Sequence, residues 1–227
     1  MDSSIGSNPQ RPPDGRGEPF TLVGRSDRGR LLEAMVRVAA DKGLETTTVA
    51  DVVGAAGVSE TTFYSMFGSK ETCFLEAYDA SIDMLIEHMS ATFEAAAAEP
   101  WPQRVVTTLR AMVSSLAAEA DVARMAMVDM SATSGAARAH YRDALARFTP
   151  FLEEGRDYSG REDEIPPDTA AFAIGGATTM IFDEFRAGRG RELERILPHL
   201  VFTVLMPYLG PDGAAAEMRK VDDGGLI

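Results

Sequence analysis

Between residues 47 and 71 the chain reads TTVADVVGAAGVSETTFYSMFGSKE, two short apolar-faced segments parted by Gly57 and closed by Gly68. No other stretch constrains the fold as tightly. Thr48 and Asp51 stand at the S/T-x-x-D spacing close to a capping box, and so open a helix whose apolar face is Val49, Val52, Val53 and Ala56. Gly57 ends it, since glycine takes the backbone sign change of a tight turn without a Cβ clash. Val58 plugs the turn, and Ser59 caps a second short helix from Glu60 to Phe67. Phe63 and Phe67, four apart, share its inner side. Gly68 stops it, and Ser69 caps the helix that follows. Helices this short are marginal alone, so both must lean on neighbours.

The neighbours are legible on both sides. Leu31, Leu32, Met35, Val36 and Ala39 recur at three- and four-residue steps and predict a helix from Asp27, ended by Gly43 with Leu44 tucked beneath. Phe74, Leu75, Tyr78, Ile82, Leu85, Ile86, Met89 and Phe93 predict a long helix after Ser69. Two short helices across a glycine turn make a helix-turn-helix. With the phenylalanines inward, Thr61, Thr62, Tyr64 and Ser65 face out, and short hydroxyls with one phenol suit a DNA major groove.

Net charge bears on that reading. At -13 over 227 residues the chain is no indiscriminate binder of nucleic acid. Contact is made by a patch, however, and Arg25, Arg28, Arg30, Arg37 and Lys42 gather around Asp27, Glu33 and Asp41, while the acidic excess lies later. The lone cysteine, Cys73, rules out an internal disulfide and fits a reducing cytoplasm. The first residues lack an apolar core, so no signal peptide is expected, and ILPHLVFTVLMPYLG is too short and proline-broken to span a bilayer.

Beyond Pro100-Trp101-Pro102, read as a break, apolar periodicity predicts helices over 104–119, 121–131 and 136–154. A charged loop over 155–168 follows, then two last helices near 167–187 and 191–209. Nothing reads as a strand, so the expected class is all-α. His88, His140 and His199 lie far apart, and there is no HExxH, GxSxG, P-loop or GxGxxG after a strand. No enzyme activity, metal or cofactor is expected.

Residues 27–75 closely resemble the DNA-binding domain of TetR/AcrR-type transcriptional repressors. The pattern rests on Gly43, Thr48, Val49, Val52, Ala56, Gly57, Val58, Ser59, Phe63, Tyr64, Phe67, Ser69 and Lys70. The resemblance implies an N-terminal three-helix helix-turn-helix domain and a C-terminal helical domain for ligand binding and dimerisation. The expected divisions are a disordered arm (1–24), the DNA-binding domain (25–72), the effector and dimerisation domain (73–210) and a flexible tail (211–227). Candidate DNA contacts are Arg28, Thr48, Ser59, Glu60, Thr61, Thr62, Tyr64, Ser65 and Lys70. Thr62, Tyr64 and Ser65 look like groove-facing positions, and Thr48 and Lys70 like phosphate contacts. Glu60 and Met66 depart from the family, which often has Lys or Arg and Tyr there; Glu60 can still accept from a cytosine amino group.

In the C-terminal part, Ala171, Ile174, Gly175, Thr178, Ile181, Phe182 and Phe185 line one helix face, and Leu197, Leu200, Val201, Val204, Leu205 and Tyr208 line another. The resemblance implies that such a pair, within about 167–209, builds a four-helix bundle with a second subunit. Trp101, Met112, Met125, Met130, Tyr141, Phe148 and Phe182 are the candidate lining of a ligand pocket, because methionine and aromatic side chains make adaptable apolar walls. The expected function is a repressor released from a near-palindromic operator by a small apolar or amphipathic effector. A ligand-independent helix-turn-helix activator or architectural factor carries the same N-terminal pattern and stays open.

Overall fold

The computed structural model describes residues 26–129 and 135–224, with backbone alone for 128, 129, 135–139, 223 and 224. The expected arm over 1–24 and the expected pocket residue Met130 lie outside these residues. Helices α1 (Asp27–Lys42), α2 (Val49–Ala56), α3 (Glu60–Phe67) and α4 (Lys70–Ala95) follow the expected order. Their ends are set by caps. Thr48 and Asp51 complete a reciprocal capping box, Asp51 N–H donating to Thr48 Oγ1 at 3.2 Å and Thr48 N–H to Asp51 Oδ2 at 3.0 Å. Lys42 Nζ lies 2.6 Å from Asp51 Oδ1, and with the Thr48 bonds it holds this carboxyl below the ordinary carboxylate range. Gly57 sits in the left-handed region at φ 67 and ψ 38, which lets α2 and α3 meet across a tight turn. Leu31, Met35, Val52 and Phe63 are wholly buried between α1, α2, α3 and α4. The same apolar cluster takes in Cys73, Tyr78, Met125 and Ala144.

α5 (Trp101–Ala118) begins inside the Pro-Trp-Pro segment rather than after it. Pro102 occupies the first turn, where a helix needs no backbone N–H. α6 (Ala120–Arg124) runs directly into a π-helical turn, Met125–Asp129. The helix expected over 136–154 is two, α7 (Gly135–Ala146) and α8 (Pro150–Ser159), because Pro150 cannot continue α7 but can start α8. α8 also takes up the beginning of the expected loop, whose remainder holds a single 3-10 turn at Glu162–Glu164. α9 (Thr169–Arg186) and a 3-10 segment, Gly190–Ile196, lead to α10 (Leu197–Gly224). No strand occurs among the described residues.

Two expectations need correction. Residues 211–224, expected within a flexible tail over 211–227, are helical: α10 breaks at Gly210 (φ 71, ψ 172) and resumes as helix to Gly224. Ala214 and Val221, one heptad apart, are buried against the C-terminal core, and Gln103 Nε2 donates to Glu217 Oε2 at 3.1 Å. The apolar face of α10 is not free for a partner either. Leu197, Leu200, Val201, Val204, Leu205 and Tyr208 are each 2% exposed or less within the single chain. They fill the core between α5, α8, α9 and α10. Trp101 anchors this core, edge-on to Tyr208 at 5.2 Å between centroids, with its Nε1–H donating to the Phe151 carbonyl at 3.2 Å. Gly155 makes the approach possible, since a Cβ there would lie 2.5 Å from the indole.

Glu184 is a buried carboxylate at the end of α9. It accepts from Arg189 Nε at 2.8 Å and Nη2 at 2.9 Å, and also from Arg195, so it ties down both ends of the 3-10 segment. These guanidinium bonds bring its carboxyl down to about 2.

Candidate nucleic-acid interface and effector cavity

α3 presents two unlike sides. Phe63 is fully buried and Phe67 nearly so, while Tyr64 is 52% exposed. Glu60, Thr61 and Ser65 are exposed beside it, and Thr62 is half-buried. The Tyr64 ring packs edge-on to Phe63 at 5.4 Å, which holds the phenol out from the surface. Several hydroxyls also serve the helix itself. Ser59 Oγ accepts from Thr62 N–H at 3.1 Å and pairs with Thr62 Oγ1 at 2.9 Å, and Ser65 donates to the Thr62 carbonyl at 2.8 Å. Thr61 and Tyr64 are thus the groups on this side without such an internal bond. A short helix held at its base by two phenylalanines, with small polar groups and one phenol outward, can enter a major groove without burying an apolar surface there.

The cations expected to touch DNA are placed differently. Lys70 Nζ, half-buried at the start of α4, donates to the carbonyls of Leu44 at 3.1 Å and Thr47 at 2.9 Å. It clamps the recognition domain onto the long helix. Arg28 is paired with Glu76 on α4 and lies 4.7 Å over the Phe67 ring. Thr48 is exposed, its hydroxyl shared with Asp51 at 2.7 Å. Met66 is half-buried and packs against the N-terminal core.

A cavity of about 140 Å³, partly open to solvent, lies beneath this domain and is lined by α4 to α10. Its wall comprises Tyr78, Ile82, Leu85 and Met89 of α4, and Val105, Thr108, Leu109, Met112 and Leu116 of α5. Ala123, Ala126 and Met127 contribute from α6 and the π turn, and Tyr141, Leu145, Phe148, Phe151 and Leu152 from α7 and α8. Ile174, Ala177, Thr178, Ile181 and Val204 close it. No charged side chain is among them.

A family model described as bacterial regulatory proteins, tetR family, matches residues 31–77, the span that holds most of α1, all of α2 and α3, and the start of α4. Residues 31–77 therefore carry a DNA-binding domain of the tetR family of bacterial regulatory proteins. No curated protein matches it. Among solved structures, the fatty acid degradation regulator FadR from Bacillus halodurans is similar, with a TM-score of 0.69 at 15% identity, over 82% of this chain and 96% of that one. FadR from Bacillus subtilis, solved in complex with stearoyl-CoA, gives 0.63 at 15% identity, over 80% and 97%. A protein described as the superantigen PfiT gives 0.53 at 25% identity, over 76% and 95%. The two FadR likenesses establish the all-helical fold.

Of the residues expected at a ligand pocket, Met112, Tyr141 and Phe148 do line the cavity. Three others do not. Trp101 is drawn into the core by the space over Gly155. Met125 is 2% exposed and packs in the N-terminal cluster, on the other side of the helical segment from Ala126 and Met127, which line the cavity. Phe182 is half-buried elsewhere on α9, with the Arg186 guanidinium 5.7 Å above its ring. The α4 wall was missed, although Tyr78, Ile82, Leu85 and Met89 stand on one helical face in the sequence. Periodicity marks such residues as buried and does not separate a cavity wall from a filled core. No helix among the described residues is long and apolar enough to cross a membrane.

Proposed function

We propose that this protein is a homodimeric repressor of the TetR family, released from a near-palindromic operator when a small apolar or amphipathic molecule enters the cavity. The carrying observation is the sidedness of α3: Phe63 sealed, Tyr64 and Thr61 open to solvent. In this reading Thr61, Thr62, Tyr64 and Ser65 meet base edges, Glu60 and Ser59 sit at the groove mouth, and Thr48 reaches a phosphate. Lys70 and Arg28 act by holding the domain in place. The stearoyl-CoA in Bacillus subtilis FadR is an amphipathic ligand held by a protein of this fold, which supports an effector role for the apolar cavity here.

One short helix discriminates little, and two held one turn of DNA apart (~34–36 Å) or a multiple of it read an inverted repeat. The surface suited to a second copy is the outer side of α9 and α10. Phe172 is 78% exposed and Met206 42%. Gly175 has nothing within 4 Å of where its Cβ would be, which leaves α9 thin there and open to close approach by another helix.

Coupling follows from shared elements. α4 carries Tyr78 and Ile82 in the cavity wall and begins at Lys70, bonded to the α1–α2 connection. The α6 and π segment gives Ala126 and Met127 to the cavity and Met125 to the N-terminal core, and Arg124 Nη2 donates to the Ala40 carbonyl at 3.4 Å. A ligand that parts these walls shifts the separation of the two α3 helices, lowering operator affinity by its differential binding energy, ~1–3 kcal/mol. Selection of bound duplexes from a random pool tests the reading. Two inverted half-sites with helical-turn spacing are expected, and no enrichment at low salt would refute it.

A further inference from the structure

We propose that Tyr78 and Tyr141 form the polar end of the cavity and that the effector is a compact, uncharged molecule presenting one carbonyl-type acceptor to them. This deepens the effector reading above and rests on it. Tyr78 is only 4% exposed, and its phenol makes no hydrogen bond to another described residue. Nor is its oxygen sealed in, because the buried side-chain polar atom lacking a partner among these residues is Gln103 Oε1. Both tyrosines line the cavity, and in this proposal the free donor of Tyr78 stands at its surface. Buried phenols ordinarily find a partner. The missing one is a ligand atom.

The two tyrosines stand next to a contact that joins their helices. His140 Nε2 lies 2.6 Å from Asp79 Oδ1, joining α7 to α4 at the positions adjacent to Tyr141 and Tyr78. The Tyr78 and His140 rings are 6.2 Å apart. Burial pushes both phenols above their ordinary range, and a charge on Tyr141 would oppose one on Tyr78, so both stay protonated donors at neutral pH. The hydroxyl of Thr108 is already bonded to the Arg104 carbonyl at 2.9 Å.

The rest of the cavity sets the remaining chemistry. Without a cation in its wall, a carboxylate would enter unpaired, at a large desolvation cost. A hydrocarbon would fit but leave the phenols unsatisfied. A void of about 140 Å³ is close to the ~150 Å³ apolar cavity that accepts benzene in an engineered core, so a single substituted ring fills it.

Three isosteric probes separate these cases: acetophenone, cumene and benzoate, titrated calorimetrically into the full-length protein. Acetophenone should bind ~5- to 10-fold more tightly than cumene, the value of one satisfied donor, and benzoate should not bind. In Tyr78→Phe/Tyr141→Phe the ketone should fall to the affinity of cumene, with cumene unchanged. Equal affinities for ketone and hydrocarbon in the wild type, tighter binding of benzoate, or a ketone preference that survives in the double variant would each overturn the phenol-pair proposal and leave the cavity intact as an effector site. Failure of all three probes, cumene included, would remove the effector reading itself. The wild-type comparison stands even if the variant fails to fold.

Discussion

Replacing Lys70 by methionine distinguishes a residue that touches DNA from one that positions what does. Its Nζ donates to the Leu44 and Thr47 carbonyls at 3.1 and 2.9 Å, bonds that join the start of α4 to the connection between α1 and α2. Hydrogen bonds from a charged donor each contribute ~1.5–3 kcal/mol, and methionine retains the aliphatic stem but neither bond. Because the site is half-buried, water can reach the two carbonyls, so the expected loss is about 2–3 kcal/mol rather than the full sum. Urea unfolding followed by far-UV circular dichroism reads it as a lower midpoint. Operator binding across a salt series supplies the second measurement. If Lys70 instead neutralised a phosphate, its removal would make the dependence of log K on log salt shallower by ~0.9 for each phosphate freed. Loosening a clamp lowers affinity at every salt concentration and leaves the slope as it was. A variant as stable as wild type with a shallower slope would refute the clamp and restore Lys70 as a phosphate ligand.

Gly155→Ala should destabilise by about 1–2 kcal/mol despite a helix-propensity gain of ~1 kcal/mol, because its Cβ would stand 2.5 Å from the Trp101 ring. Trp101 is the chain's single tryptophan, so its fluorescence during urea unfolding reports the change directly, and a stabilised variant would contradict the packing. Glu184 is held at about 2, below its unfolded value, so its contribution is complete above the ordinary carboxylate range and fades as pH falls through about 2. Glu184→Gln should remove that part of the acid limb in a plot of melting temperature against pH, and an unchanged acid limb would mean that the Arg189 and Arg195 bonds add nothing. Phe172→Asp with Met206→Asp changes exposed positions, so the fold should persist while sedimentation shows monomers that no longer hold an operator; a dimer at micromolar concentration would place the interface elsewhere.

What the amino-acid order disclosed about this chain, and what it hid, divides by the range of the forces involved. The helix-turn-helix was readable to the residue because its determinants act within four positions: Thr48 with Asp51, Ser59 with Thr62, Gly57 in its own turn. The inward side of α3 was readable for the same reason, two phenylalanines one helical turn apart. The C-terminal part is settled by packing across tens of residues. Trp101 has the chemistry of a pocket wall, but Gly155 leaves a space that draws it into the core. On α10, Leu197 through Tyr208 announce burial, and the identity of the covering surface depends on α5, α8 and α9, so a face that looked destined for a partner closes within the subunit. The proposed partner surface is the sparser apolar side, Phe172 and Met206, too isolated to stand out in a hydrophobic pattern. Met125 and Met127 are indistinguishable as residue types, yet, two positions apart, they face opposite sides of their helix, one toward the N-terminal core and the other toward the cavity. This division explains why the cavity's polar end escaped notice. Tyr78 reads as one more apolar position on α4, and only its place in the cavity wall beside Tyr141 sets it apart from the filled core.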